Sequence, residues 1–187
     1  MPYRIALDTY LDAKDNTRAE RIADAFAPDA VLTFSLATSA IDFPSRVEGI
    51  DGIARTLVSD FGAHYTQCRT YYVCDALSVT DDTIDALPWL VIMREPEAGA
   101  LRVGHGTYRW HFGDDGGALR VTRLHIAIAR MDVVPDADGE RLAALQDGLD
   151  YPWLSPAVLR AHFDAVSNAR PELAFIDGFT DALAAPR

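Results

Sequence analysis

Between residues 64 and 133 the sequence settles into a period of two and holds it through four long runs, 64–79, 83–95, 100–113 and 118–133. The joints are Asp81-Asp82, Pro96 to Gly99, and Asp114-Asp115-Gly116-Gly117, all short and rich in turn residues. A parallel connection needs a crossover of a dozen or more residues, so these four strands are predicted to be antiparallel neighbours. Alternation also assigns their faces. In the third run Gly104, Gly106, Tyr108, Trp110 and Phe112 share one side, and His105, Thr107, Arg109 and His111 share the other. Leu87, Trp89, Val91 and Met93 make the bulkier face of the second run, and Leu124, Ile126 and Ile128 that of the fourth.

Before this meander the period is helical. Tyr3, Leu7, Tyr10 and Leu11 form a stripe within a helix over residues 3–15, and Ile22 and Phe26 mark a second helix over 18–26. Residues 30–36 read as a strand, and Ile50, Ile53, Ala54, Leu57 and Phe61 as the face of a third helix. Helices, one strand, then a meander is an α+β order. The predicted architecture is a cone: a curved antiparallel sheet wrapped around three N-terminal helices, with a pocket at the open end. Residues 1–134 would form this domain. Residues 135–187 are an acidic extension with its own helical patterns, including a Ser155-Pro156 start signal. Tyr151, Trp153, Phe175 and Phe179 call for burial, so the extension is expected to pack on the domain or on a partner subunit.

Charge narrows the function classes. A formal charge of -11 repels a phosphate backbone, which argues against nucleic acid as a partner. No apolar run approaches the roughly 20 residues of a membrane span, and the N-terminus lacks a signal-peptide layout, so a cytoplasmic location is expected. Cys68 and Cys74 would lie roughly 20 Å apart on one extended strand, too far to bridge, and neither has metal-ligand spacing. Nothing has the pattern of a phosphate loop, a Ser–His–Asp set or a zinc site, so no metal and no cofactor are expected.

Several strings occur in a telling order: Y-L-D-A-K-D-N-T-R-A-E-R-I-A-D-A-F-A-P-D-A-V-L-T-F, V-E-G-I-D-G-I-A-R-T-L, G-H-G-T-Y-R-W-H-F and D-G-G-A-L-R-V. Over about residues 3–134 the chain resembles the SnoaL-like branch of the nuclear transport factor 2-like superfamily. The resemblance implies a cystatin-like α+β cone. That superfamily includes scytalone dehydratase, a dehydrochlorinase, ketosteroid isomerase and polyketide cyclases, as well as non-catalytic adaptors and dioxygenase subunits. In the dehydratase and dehydrochlorinase members an Asp ending the first helix orients a His opening the long strand. A carboxylate on one imidazole nitrogen fixes the tautomer and makes the other nitrogen a better base.

The resemblance puts His64 in the place of that base. Two registers are open for its partner: an ungapped count gives Asp15, and the D-A-K-D string gives Asp12. Asp8, Asp12 and Asp15 at helical spacing equally suit a solvated helix face. The family's second histidine falls near Met93, and its two water-holding tyrosines fall at Lys14 and Phe34, so the dehydratase scheme is incomplete here. Two expectations result. One is a cofactor-independent lyase or isomerase for a small, largely apolar molecule, with His64 and Asp15 or Asp12 catalytic and Tyr108, Trp89, Trp110, Met93 and Phe34 shaping the pocket. The other is a non-catalytic ligand-binding or assembly module that forms a homodimer through the sheet.

Overall fold

The structure is a computed structural model and describes residues 2–184; Met1 and residues 185–187, the ends of the two expected segments, lie outside the described residues. The chain opens with α1 (Pro2–Asp15), a 3-10 turn (Ala19–Arg21) and the short α2 (Ile22–Ala25). Strand β1 (Phe26–Leu36) and β2 (Arg46–Glu48) come next. A continuous helix then runs through α3 (Ile50–Ala54), a π-helical turn (Arg55–Ser59) and α4 (Asp60–His64). The meander is β3 (Thr66–Val73), β4 (Thr83–Glu95), β5 (Ala100–Asp115) and β6 (Ala118–Pro135). The rest comprises α5 (Glu140–Gln146), β7 (Trp153–Leu154), α6 (Pro156–Ala169), a 3-10 helix (Pro171–Ile176) and α7 (Asp177–Ala184).

The strands form one curved sheet in the order β2-β1-β6-β5-β4-β3-β7. Its centre is the antiparallel meander read from the alternation. The two outer additions are parallel: β1 lies along β6, and β7 along β3. Face assignment follows the alternation closely. Leu87, Trp89, Val91, Tyr108, Trp110, Phe112, Leu124, Ile126 and Ile128 all point inward against α1, α2 and the long helix. Their neighbours Leu90, Ile92, Leu101 and Val103 point outward and are equally buried, because the C-terminal segment covers them with Leu142, Leu145, Leu159, Phe163, Leu173 and Phe179. One sheet therefore separates two hydrophobic cores.

Three boundaries differ from the sequence reading. First, β1 begins at Phe26, earlier than residue 30; the Phe26 ring packs edge-on against Tyr10, which holds that residue extended over the inner core. Second, β3 stops at Val73, and the left-handed backbone of Asp81 (φ 48°) and Asp82 (φ 56°) makes the turn into β4. Third, the long helix continues to His64, so this residue ends a helix and does not open a strand.

The extension is anchored at several points. Ser155 caps α6 by accepting the Val158 amide at 3.2 Å, with Pro156 in the first turn, as its sequence signal indicates. The amide of Gln146 donates to the Gln67 and Ile92 carbonyls at 2.8 and 2.9 Å. The Trp153 indole donates to Asp8 at 2.6 Å, tying β7 to α1. Among the described residues the C-terminal segment leaves open the part of the outer face around β1 and β6.

Gly106 shows how tightly the layers meet. A β-bulge sits between His105 and Gly106, and a Cβ at Gly106 would stand 1.8 Å from the Ala127 carbonyl oxygen and 2.9 Å from the Trp89 ring. The clash is with backbone, which cannot rotate away. Gly106→Ala is expected to cost about 3 kcal/mol, at the upper end for overpacking; a urea midpoint unchanged from the parent would contradict this.

Candidate functional site

The cone's interior is reached by side chains from nearly every element around it. Tyr10 and Lys14 enter from α1, Phe34 from β1, Leu57 and Phe61 from the long helix, Thr70 from β3, Trp89, Val91 and Met93 from β4, and Tyr108 from β5. Ile126, Ile128 and Met131 complete the wall from β6. The residual cavity is small, about 40 Å³, room for little more than one or two waters. The loop between β1 and β2 adds Ile41 and Phe43 to its wall. Phe43 stacks on Phe34 with ring centroids 4.5 Å apart, and Arg102 holds the loop by donating to the Ala40 carbonyl.

The wall is apolar apart from one ammonium, one threonine hydroxyl and a pair of phenols. Lys14 follows Leu7, Tyr10 and Leu11 on the buried stripe of α1 and is only 7% exposed. Its Nζ donates to Asp15 Oδ1 at 3.0 Å and Thr70 Oγ1 at 2.9 Å, touches Cys68 Sγ at 3.5 Å, and lies 4.4 Å from the centroid of the Phe61 ring. Asp15 Oδ1 also accepts from Thr70 Oγ1 at 3.0 Å and from Cys68 Sγ at 3.2 Å. Its Oδ2 accepts the Thr70 amide at 2.6 Å and the Tyr151 hydroxyl at 3.0 Å. The carboxylate side chain is 2% exposed. A buried ion pair is thus formed with the hydrogen bonds that such a pair requires.

This environment sets the protonation states. Burial is the largest single influence and opposes the Lys14 charge, but the adjoining Asp15 carboxylate, joined by Cys68 and Tyr10, holds the ammonium above the ordinary lysine value. Burial, with Asp15 adding to it, pushes the Cys68 thiol up to about 12, so it stays neutral. Burial likewise raises Tyr10 to about 12, and its hydroxyl meets that of Tyr108 at 3.5 Å. The indole nitrogens of Trp89 and Trp110 are buried without a hydrogen-bond partner among the described residues.

Of the residues expected from the sequence, Tyr108, Trp89, Met93 and Phe34 line the cavity. Trp110 does not; it is wedged behind them, 5.2 Å from the Tyr10 ring and 5.4 Å from that of Tyr108. Asp12 faces outward and binds Arg18 at 3.2 Å and Arg21 at 3.0 Å, a surface ion cluster. The expected pairing of His64 with Asp15 or Asp12 is not formed. His64 is exposed at the end of α4, beside a shallow depression lined by Asp42, Thr56 and Asp60. Its displacement has a cause in the helix. The π-helical turn at Arg55–Ser59 accommodates an extra residue and rotates the last turn of the helix, so Phe61 keeps the inward place and His64 falls beyond the rim. Opposite Asp15, where the resemblance implied a histidine, β3 instead presents Cys68 and Thr70. Sequence reasoning missed Lys14, Thr70 and Tyr151. The available signal was a lysine on an otherwise apolar helix stripe, which is rare without a buried counter-charge.

The sequence matches the SnoaL-like domain family over residues 4–125. It matches no curated protein. Among solved structures, LinA, a hexachlorocyclohexane dehydrochlorinase, superposes with a TM-score of 0.59 at 14% identity, covering 71% of this chain and 87% of that one. A scytalone dehydratase-like protein from Novosphingobium aromaticivorans gives 0.54 at 14% identity over 70% and 84%. A nuclear transport factor 2-like protein from Salmonella enterica gives 0.54 at 13% identity over 67% and 87%. Such likenesses establish the cone fold.

Proposed function

The chain belongs to the SnoaL-like domain family, and on that premise we propose that it is a cofactor-independent lyase or isomerase for a small, largely apolar molecule bound in the cone. Support comes from one observation above all: a single charged group, the Lys14 ammonium, stands in a mostly apolar wall with a buried carboxylate behind it. Elimination and isomerisation both pass through a state with negative charge on oxygen or carbon. A pre-oriented cation in a water-poor site stabilises that charge far more than it would in water. Tyr10 and Tyr108, kept protonated by burial, add neutral donors on the same wall. In this reading Asp15 takes the proton by way of Thr70, whose hydroxyl lines the wall and donates to its Oδ1. The solved dehydrochlorinase and dehydratase-like relatives carry names of the same reaction class. A cytoplasmic setting is part of the same reading, and the two free cysteines suit a reducing compartment.

The second reading, a non-catalytic ligand-binding or assembly module, draws on the smallness of the cavity, which the stacked rings of Phe34 and Phe43 help to fill. Hydrogen–deuterium exchange at the α-carbon of small cyclic ketones and enones, followed by NMR in D₂O, separates the two without knowledge of the natural substrate. The expected result is accelerated exchange by the native protein. Lys14→Met should lower it roughly 100-fold, the scale for removing one charge-stabilising donor, and His64→Ala should leave it unchanged. Binding of the ketones with no exchange would favour the non-catalytic module. Loss of exchange in His64→Ala would return the base to His64.

A further inference from the structure

Outside the cone, the part of the outer sheet face that the C-terminal segment leaves open holds a depression of about 400 Å³. Five basic side chains line it, Arg46, Arg109, His111, Arg123 and His125, and no acidic residue does. Strand register explains how they meet. In one rung Arg46 of β2 lies opposite Thr33 of β1, Thr33 opposite His125 of β6, and His125 opposite Arg109 of β5. In another, Arg123 of β6 lies opposite His111 of β5. Side chains two residues apart on a strand share a face, so both rungs present their basic groups outward together.

We propose that this depression is a binding site for a small molecule carrying a phosphoryl group. Four of the five basic groups are held in place by neighbouring side chains. His125 is fixed at both ring nitrogens, by Thr33 Oγ1 at 2.8 Å and Ser35 Oγ at 3.1 Å, and His111 Nδ1 meets Thr83 Oγ1 at 3.1 Å. Asp85 takes the Nε proton of Arg109 at 2.6 Å, and Glu48 that of Arg46 at 2.8 Å. Both contacts use Nε, and no hydrogen bond among the described residues engages the terminal Nη groups of these two arginines. The Arg123 side chain makes no hydrogen bond or ion pair among the described residues, so of the three guanidinium groups its charge is the one left uncompensated. Three guanidinium forks around one concavity suit the several oxygens of a phosphoryl group better than a single carboxylate. Burial and the nearby Arg109 charge both lower the His125 pKa, in keeping with a positive local field in a chain whose total charge is -11. A two-fold pairing of this face with a second copy would set the same cations against one another, and that disfavours a homodimer here.

The test is an NMR titration of the His111 and His125 ring signals with inorganic phosphate and with glycerol 3-phosphate, run against sodium chloride at equal ionic strength. Saturable shifts with both phosphates and not with chloride are expected, and Arg123→Gln should weaken binding about tenfold. A tighter ester than free phosphate marks an organic phosphate as the ligand, and equal affinities mark the ion itself; either supports the site. The proposal is overturned if chloride reproduces the shifts, if Arg123→Gln binds as the parent does, or if only an oligonucleotide binds. It is also overturned if sedimentation shows a dimer that buries this face and that phosphate leaves intact.

Discussion

Asp15→Ala is expected to destabilise the protein by about 3–5 kcal/mol, the range for removing one partner of a buried ion pair. The loss is large because the carboxylate serves more than Lys14. Without it, the Thr70 amide and hydroxyl, the Cys68 thiol and the Tyr151 hydroxyl each lose an acceptor, and Lys14 is left charged in an apolar wall. Urea denaturation of three proteins separates these contributions. If the unpaired charge dominates, Asp15→Ala combined with Lys14→Met should recover much of the loss, because burying two apolar groups costs less than burying one lone ion. A double variant as unstable as Asp15→Ala would put the cost in the orphaned donors around Thr70. The pair also gives a pH signature. Because Lys14 titrates above its unfolded value, its contribution is intact below the ordinary lysine pKa of roughly 10.4 and is lost as pH rises through the higher folded value. The native protein should therefore lose stability in that alkaline window more steeply than Lys14→Met does.

Phe163→Ala should be comparably severe, about 3–5 kcal/mol. Phe163 is fully buried, and it belongs to the core that α6 shares with the outward-facing residues of β3, β4 and β5. Those residues, among them Tyr71, Leu90, Ile92 and Val103, are covered by the C-terminal segment, in which Phe163 is one of the largest buried side chains. Loss of the ring therefore opens a cavity against a sheet whose opposite face is the cone wall. Guanidinium unfolding read by far-UV circular dichroism and by indole fluorescence checks whether the two cores melt together. Coincident, earlier transitions are expected, since Trp153 ties the segment to α1 while Trp89 and Trp110 report on the cone. An early partial loss of circular dichroism with the main fluorescence transition unmoved would mean that the C-terminal segment is dispensable to the domain.

Most of the cone was legible from residue order because its information is local. A period of two held across short turn joints admits only an antiparallel meander, and the same alternation assigned Trp89, Tyr108 and Ile126 to the inside. The helix stripe containing Tyr10 and Leu11 was equally plain. What alternation cannot encode is which distant segments meet. The parallel seating of β1 beside β6 and of β7 beside β3 joins residues far apart in sequence, and no local pattern announces either. The covering of the outer face was readable only as a demand: aromatic residues in the tail needed burial, but not where they would find it.

The site divides along the same line. The sequence by itself pointed to Phe34, Trp89, Met93, Tyr108 and Trp110 as the walls of an apolar pocket, and the resemblance added an acidic residue, Asp15 or Asp12, near the end of α1. Tertiary structure decided what that carboxylate faces. A π-helical turn carried His64 past the rim, and the register of β3 against α1 brought Cys68 and Thr70 under Asp15 in its place. Lys14 could be buried only because those partners converge on it. The free energy of a buried charge depends on three-dimensional neighbours at about 3 Å, and a one-dimensional pattern does not contain them.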